Sequence, residues 1–269
     1  MKQEVDLPIA SSGSELQERR ERVFILLAGF FLSAMTLLNV VGITRFVELG
    51  PLTVAVGVLP YPLTFLCTDL ISELYGRSRA NFLVTVGLIL NGFILLTLTV
   101  ADMLPAAPLS EQPPWQTLQI AGELALPSGD VLTGSVELFN IVYACTAGAV
   151  TASMFAYIAA QYLDVQLFHF FKRLTKGRHL WLRNNFSTLF SQAVDSIMVI
   201  GITFGAVFLS GEMALATMLV LMGSNYLFKM LAALIDTLPF YWLTSNLRRY
   251  LELEPSSHRA TTKANGERA

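Results

Sequence analysis

The stretch "PYPLTFLCTDLISELYGRSRA", Pro60 to Ala80, decides what kind of protein this is. Its first half is apolar enough for a lipid bilayer. Two prolines remove backbone donors near its start, and Asp69 and Glu73 then follow one helical turn apart, just ahead of Arg77 and Arg79. A segment built this way leaves an apolar phase at a basic surface. Around it, 54% of the 269 residues are hydrophobic, only 14% are charged, and the mean hydropathy is +0.56. That much apolar surface cannot be hidden in a soluble fold of this size, so the chain reads as a polytopic membrane protein. The net charge of −2 is uninformative as a total, because in a membrane protein the position of each charge carries the information.

With about 20 apolar residues per crossing, the expectation is an all-α membrane protein with six transmembrane helices. The candidate spans are Val23 to Ile43, Leu52 to Leu74, Phe82 to Met103, Leu138 to Tyr162, Phe186 to Ser210 and Met213 to Ser245. Pro60 and Pro62 should kink or break the second. The domain reading is an N-terminal tail over 1–22, a six-helix transmembrane domain over 23–247 and a C-terminal tail over 248–269. The first apolar run is long enough to remain as a span, and no signal-peptide order precedes it.

Basic residues gather in four groups: Arg19, Arg20 and Arg22; Arg77 and Arg79; Lys172 to Arg183; and Arg248 with Arg249. Six spans put all four on one side, which the positive-inside rule makes the cytoplasm, with both termini there. Arg45 is the exception on the other side, and no Lys or Arg occurs between Ala80 and Phe171. The long external connection 104–137 reads either as a solvated loop or as a cap over a substrate entrance, with "WQTLQIAGEL", Trp115 to Leu124, as a short interfacial helix. The tail from Pro255 has too little apolar content to fold.

Each ionisable residue near a bilayer centre costs about 2.5 to 3.5 kcal/mol on insertion scales, which makes such residues functional candidates. Lys229 falls near the middle of the sixth span and Asp195 just short of the middle of the fifth, while Asp69 and Glu73 lie in the cytoplasmic half of the second. Spacing places Ser191 and Gln192 on the face of Asp195, and Asn225 and Asp236 on the face of Lys229. Such stripes are least costly when turned toward the bundle interior. The plainer alternative is that Lys229 and Asp195 only pair as buried glue between helices, and that Glu73 reaches water or Arg77.

Other patterns carry less. Gly201 and Gly205 suggest helix packing, and Asn185 to Ser187 match a glycosylation sequon on the cytoplasmic side, a chance match. Cys67 and Cys145 both sit in apolar runs, which does not favour a disulfide or a zinc site. His169 and His179 belong to the basic loop rather than to a metal site. With no phosphate-binding glycine loop, zinc helix or nucleophile elbow, the reading is of a non-enzyme without cofactor or metal and without a nucleic-acid partner.

Four blocks, "YPLTFLCTDLISELYGRSRA", "TASMFAYIAAQYLDVQLFHFFK", "NNFSTLFSQAVDSIMV" and "NYLFKMLAALIDTLPFYWL", together resemble the queuosine precursor transporter family, also called the vitamin uptake transporter family. The likeness runs from about Val23 to Leu247. It implies a six-helix inner-membrane importer similar to the substrate-binding components of energy-coupling-factor transporters. The implied cargo is a 7-deazaguanine, 7-cyano-7-deazaguanine or its aminomethyl relative, salvaged for queuosine. Position by position, the resemblance places the substrate-binding residues at Asp69, Glu73, Ser187, Thr188, Gln192, Asp195, Asn225 and Lys229, with Asn39 a further match. The connection 104–137 and both tails depart from the pattern.

The residue types suit that cargo. A guanine-like edge offers adjacent N–H donors to a carboxylate, and Asn or Gln complements its carbonyl. Asp195 or Asp69 is the expected acceptor, Lys229 pairs with a carboxylate or meets the carbonyl, and Phe65, Tyr75, Phe190 or Tyr226 supplies a stacking face. The partners expected are the small molecule and the lipid bilayer, with a homo-oligomer open; an energising ATPase partner is not implied by the chain. The competing reading is a non-transporting assembly or sensor subunit whose buried charges are structural.

Overall fold

The structure is a computed structural model and describes residues 13–108, 111–174 and 180–253. Expectations for the extreme tails, and for Lys176, Arg178 and His179, lie outside the described residues. Among the described residues, six α-helices and two hairpins follow in the order α1 (Gly13–Val40), β1 (Phe46–Leu49), β2 (Leu52–Ala55), α2 (Tyr61–Tyr75), α3 (Arg77–Met103), β3 (Thr117–Ala125), β4 (Val131–Glu137), α4 (Leu138–Leu174), α5 (Leu180–Leu209) and α6 (Leu215–Tyr250).

Five of these helices, all but α2, contain stretches long and apolar enough to cross a bilayer. The chain is accordingly a mostly helical, multi-pass membrane protein. The outer faces agree. On α3, Phe82, Ile89, Phe93, Leu96 and Val100 recur at helical spacing and are all exposed, a stripe that a water-facing surface would not carry.

The expected second span, Leu52 to Leu74, is corrected. Only Tyr61–Tyr75 is α-helical, 15 residues or about 22 Å of rise against a hydrocarbon core of about 30 Å. The rest is strand β2 and a 3-10 turn at Val56–Val58. The physical reason is in the residues: Leu52, Val54, Val56 and Val58 alternate with Thr53, Ala55 and Gly57, which is a strand period rich in β-branched side chains. Pro60 and Pro62 do not kink a longer helix but start a shorter one, where missing backbone donors cost nothing. Gly76, at φ +92°, ends α2 and lets α3 begin at the next residue.

The connection 104–137 is also corrected. Trp115 to Leu124 is not a helix: after a 3-10 turn at Pro114–Gln116 the chain enters β3, which pairs antiparallel with β4 from Thr117↔Glu137 to Ala125↔Val131. The turn between them is "PSGD", where the Ser128 hydroxyl donates to Asp130 Oδ2 at 2.8 Å. At its tip, Gly129 approaches Ala206 near the end of α5.

Helix α2 is central, packing on α1, α3 and α6, while α4 packs on α3 and α5, and α5 on α6. One core cluster joins Phe31, Cys67, Ile71, Ala80 and Leu83; a second joins Ile200, Phe204, Met218 and Leu221 toward the β1–β2 hairpin, whose Phe46 ring meets Phe204 at 5.9 Å. At the opposite, basic end, Arg20 donates to the Leu251 carbonyl at 3.1 Å and Arg248 pairs with Glu73. That end ties α1, α2 and α6 together.

The 3-10 turn that follows β2 is held against the end of α1 by a close backbone approach. Gly57 N–H donates to Gly42 O at 2.9 Å, and a Cβ at position 57 would lie 2.6 Å from Leu38 O and 2.8 Å from Gly42 Cα. Backbone cannot give way as a flexible side chain can. Gly57→Ala should therefore cost about 1 to 3 kcal/mol, lowering the melting temperature of the solubilised protein by about 2 to 10 °C. An unchanged melting temperature would show that the turn separates from α1 freely.

Candidate functional site

All six helices contribute to one cavity of about 370 Å³ in the middle of the bundle. Its polar groups come from faces that the helical repeat brings inward. Helix α5 supplies Ser191, Gln192 and Asp195, with Val199 a turn further on; α6 supplies Asn225 and Lys229 four residues apart; α3 supplies Val84, Leu88 and Asn91. From α1 come Phe31, Met35, Leu38 and Asn39, and from α4 Ser153, Tyr157 and Ala160. The N-terminal position of Tyr61, set by the two prolines, places it, Thr64, Phe65 and Thr68 on the inner face of α2.

At the centre of one wall, Lys229 Nζ donates to Asp195 Oδ2. The lysine is 5% exposed and the aspartate 14%, so the pair is held away from water, and breaking it leaves an uncompensated charge. Lys229 also lies 4.8 Å from the centre of the Tyr61 ring, within cation–π range. The Tyr61 hydroxyl donates to Gln192 Oε1 at 3.0 Å. Asp195 Oδ1 takes no partner among the described residues and is left as an acceptor. Elsewhere in the lining, Asn39 Nδ2 donates to Asn91 Oδ1 at 2.9 Å. An aromatic floor, a carboxylate acceptor and several amides make a site for a small, flat, hydrogen-bonding molecule.

Of the residues singled out from sequence, Asn39, Gln192, Asp195, Asn225 and Lys229 line this cavity together. Asp69 and Glu73 do not line it. Thr68 points inward, and Asp69 is a 100° step round the helix from it, exposed and within electrostatic reach of Asp236. Glu73 sits at the basic end, where it pairs with Arg248; the side chain of Arg77, its expected partner, lies outside the described residues. Ser187 and Thr188 fall on α5, but their side chains lie outside the described residues too. Among the proposed stacking rings, Phe65 lines the cavity, Tyr75 packs on Phe24, and Phe190 is exposed.

Sequence reasoning missed Tyr61, Asn91 and Tyr157. The signal for Asn91 was an amide in the middle of an otherwise apolar span, and for Tyr61 a hydroxyl-bearing ring between two prolines at a helix start.

Two curated proteins are similar to this chain over most of its length. One, named "Queuosine precursor transporter", from Escherichia coli (strain K12), is 27% identical over 198 residues, covering 71% of this chain and 72% of the relative. The other, "Probable queuosine precursor transporter", from Bacillus subtilis (strain 168), is 28% identical over 207 residues, covering 76% and 77%. No solved structure matches the chain. The family described as "Putative vitamin uptake transporter" matches residues 55–243, from the end of β2 well into α6, and leaves α1 with Asn39 outside. That stretch holds four of the five sequence-read residues in the cavity, and on its extent the chain belongs to the vitamin uptake transporter family.

Proposed function

We propose that the chain carries a queuosine precursor, a 7-deazaguanine such as 7-cyano-7-deazaguanine or its aminomethyl relative, inward across the inner membrane. The observation that carries this reading is the buried Asp195–Lys229 pair in a cavity that all six helices line, in a chain whose relatives are named for that cargo. Asp195 Oδ1 accepts the N1–H and N2–H donors of the guanine edge, Gln192 and Asn225 serve its carbonyl side, and Phe65 or Tyr61 stacks on the ring. The basic end, with Arg20, Arg79, Arg248 and Arg249, faces the cytoplasm under the positive-inside rule, and both termini lie there. The likeness to substrate-binding components of energy-coupling-factor transporters belongs to this proposal as well.

The test is the queuosine content of tRNA in a strain unable to make the precursor, fed each 7-deazaguanine with and without this chain. Queuosine restored only when the chain is present supports import; equal queuosine without it rejects import. Uptake that survives ATP depletion and collapses with an uncoupler assigns the energy source to protons.

The direct Lys229–Asp195 contact also favours a second reading, in which the pair is structural glue in a subunit that transports nothing. Ligand-dependent stabilisation separates the two. A 7-deazaguanine at about 100 times its dissociation constant should stabilise the purified protein by about 2.7 kcal/mol, and guanosine should not. No stabilisation by any 7-deazaguanine favours the glue.

A further inference from the structure

The Gln192 side chain is held at one end of its amide. Its Oε1 accepts from the Tyr61 hydroxyl at 3.0 Å, while its NH2 group has no partner among the described residues and is not closed in by packing as Asn39 Oδ1 is. An amide has an acceptor end and a donor end, and a phenol has a single proton to give, so this bond fixes which end of Gln192 is left for a ligand. Tyr61 is itself held in place at the start of α2. Its ring meets Phe65 edge-on at 4.5 Å and carries the Lys229 ammonium 4.8 Å from its centre. Lys229 is paired in turn with Asp195, which follows Gln192 by three residues on the same face of α5. All four side chains line the cavity. The site therefore offers a carboxylate acceptor and, one helical turn from it, an amide donor whose orientation is set from another helix.

These two groups match neighbouring positions on one edge of the proposed cargo. With ring positions numbered as in guanine, N2–H and N1–H are donors and O6, next to N1, is an acceptor. A carboxylate that takes the donors and an NH2 group that serves O6 read the three in order. We infer that the Tyr61 hydroxyl is a specificity-determining group: by holding Gln192 Oε1 it leaves the amide NH2 for the cargo, so that the site admits a 6-oxo base and rejects a 6-amino one. A 6-amino base sets its N6 donors against the Gln192 NH2 and its unprotonated N1 against the carboxylate, two unfavourable pairings. Gln192 can accept from N6 only by turning its amide round, which takes Oε1 away from the Tyr61 proton. Without the hydroxyl the amide turns freely, and that part of the selection is lost. The inference rests on the proposed 7-deazaguanine cargo and deepens it, with Tyr61 as a positioning residue that acts through Gln192.

The full-length protein, purified in detergent, is tested by competition binding with 7-cyano-7-deazaguanine and with its 6-amino counterpart, 2,6-diamino-7-cyano-7-deazapurine. Wild type should prefer the 6-oxo compound at least about a hundredfold. In Tyr61→Phe the preference should fall about tenfold, the 6-oxo compound losing a few-fold in affinity and the 6-amino compound gaining a few-fold. The mismatch of N1 with Asp195 is common to both proteins and cancels in the comparison. A positioning residue acts only through the group it positions, so in Gln192→Leu the further change Tyr61→Phe should alter the preference by less than about twofold. A preference unchanged in Tyr61→Phe, with both compounds weakened equally, overturns the inference and leaves the cargo assignment standing. A tenfold effect of Tyr61→Phe that persists in Gln192→Leu overturns it as well. Binding of neither compound by wild type rejects the cargo assignment, and the inference with it.

Discussion

Asp195→Ala is expected to abolish uptake of the 7-deazaguanine and to reduce the amount of folded protein in the membrane. The two losses have different origins. Lys229 is 5% exposed and donates to Asp195 Oδ2, so removing the carboxylate leaves a buried ammonium with only the Tyr61 ring face beside it. Breaking one side of a buried pair costs about 3 to 5 kcal/mol, a large part of the stability of an ordinary domain. Replacing both partners by apolar residues of similar volume is often neutral or stabilising. Asp195→Leu combined with Lys229→Met should therefore return abundance and melting temperature to near the wild-type values. Uptake should stay absent in the double variant, because no carboxylate is left to accept the guanine edge. Abundance by immunoblot, melting temperature by fluorescence and uptake of labelled cargo are the measurements. Wild-type uptake by the double variant would reduce the pair to glue.

Which parts of this site were legible in the sequence follows from the cost of each residue. A charge in an apolar span is expensive enough to stand out alone, so Asp195 and Lys229 declare themselves, and the helical repeat then brings Gln192 and Asn225 to the same faces. The same repeat groups Asp69 with Glu73 but does not say which way their face turns. That orientation depends on Cys67, Leu70, Ile71 and Leu74 packing into the core, which leaves Thr68 toward the cavity and Asp69 outside. Asn91 gave a much weaker signal. A neutral amide costs much less in an apolar span than a charge does, and its partner Asn39 is 52 residues away on another helix.

The fold divides in the same way. Long apolar runs specify α1, α3, α4, α5 and α6, since a bilayer admits few other ways to satisfy so much backbone. The hairpins escape a reading by length alone. Leu52 to Leu59 is as apolar as a helix, and only its two-residue period, ahead of Pro60, marks it as strand and turn. In β3, the residues of "WQTLQIAGEL" alternate less cleanly, and the deciding element is the "PSGD" turn that folds β4 back onto them.

Tyr61→Ala is expected to reduce uptake about a hundredfold at low cargo concentration, and Tyr61→Phe only a few-fold. The ring lies 4.8 Å from Lys229 Nζ and, with Phe65 at a centroid distance of 4.5 Å, forms an aromatic corner of the cavity. Stacking of a base on such a ring contributes about 1 to 3 kcal/mol, and a desolvated cation–π contact about 2 kcal/mol. Truncation to Ala removes both, and also releases the lysine from one of the two groups that fix its position. Phenylalanine keeps the ring and loses only the hydroxyl that donates to Gln192 Oε1 at 3.0 Å, a bond with a net contribution of about 1 kcal/mol. Because the side chain lines a cavity rather than filling a packed core, Tyr61→Ala should lower the melting temperature much less than its effect on uptake would suggest. Equal damage by the two substitutions would move the role from the ring to the hydroxyl and its hold on Gln192. Wild-type uptake by Tyr61→Ala would remove this corner from the cargo site and leave Phe65 as its stacking face.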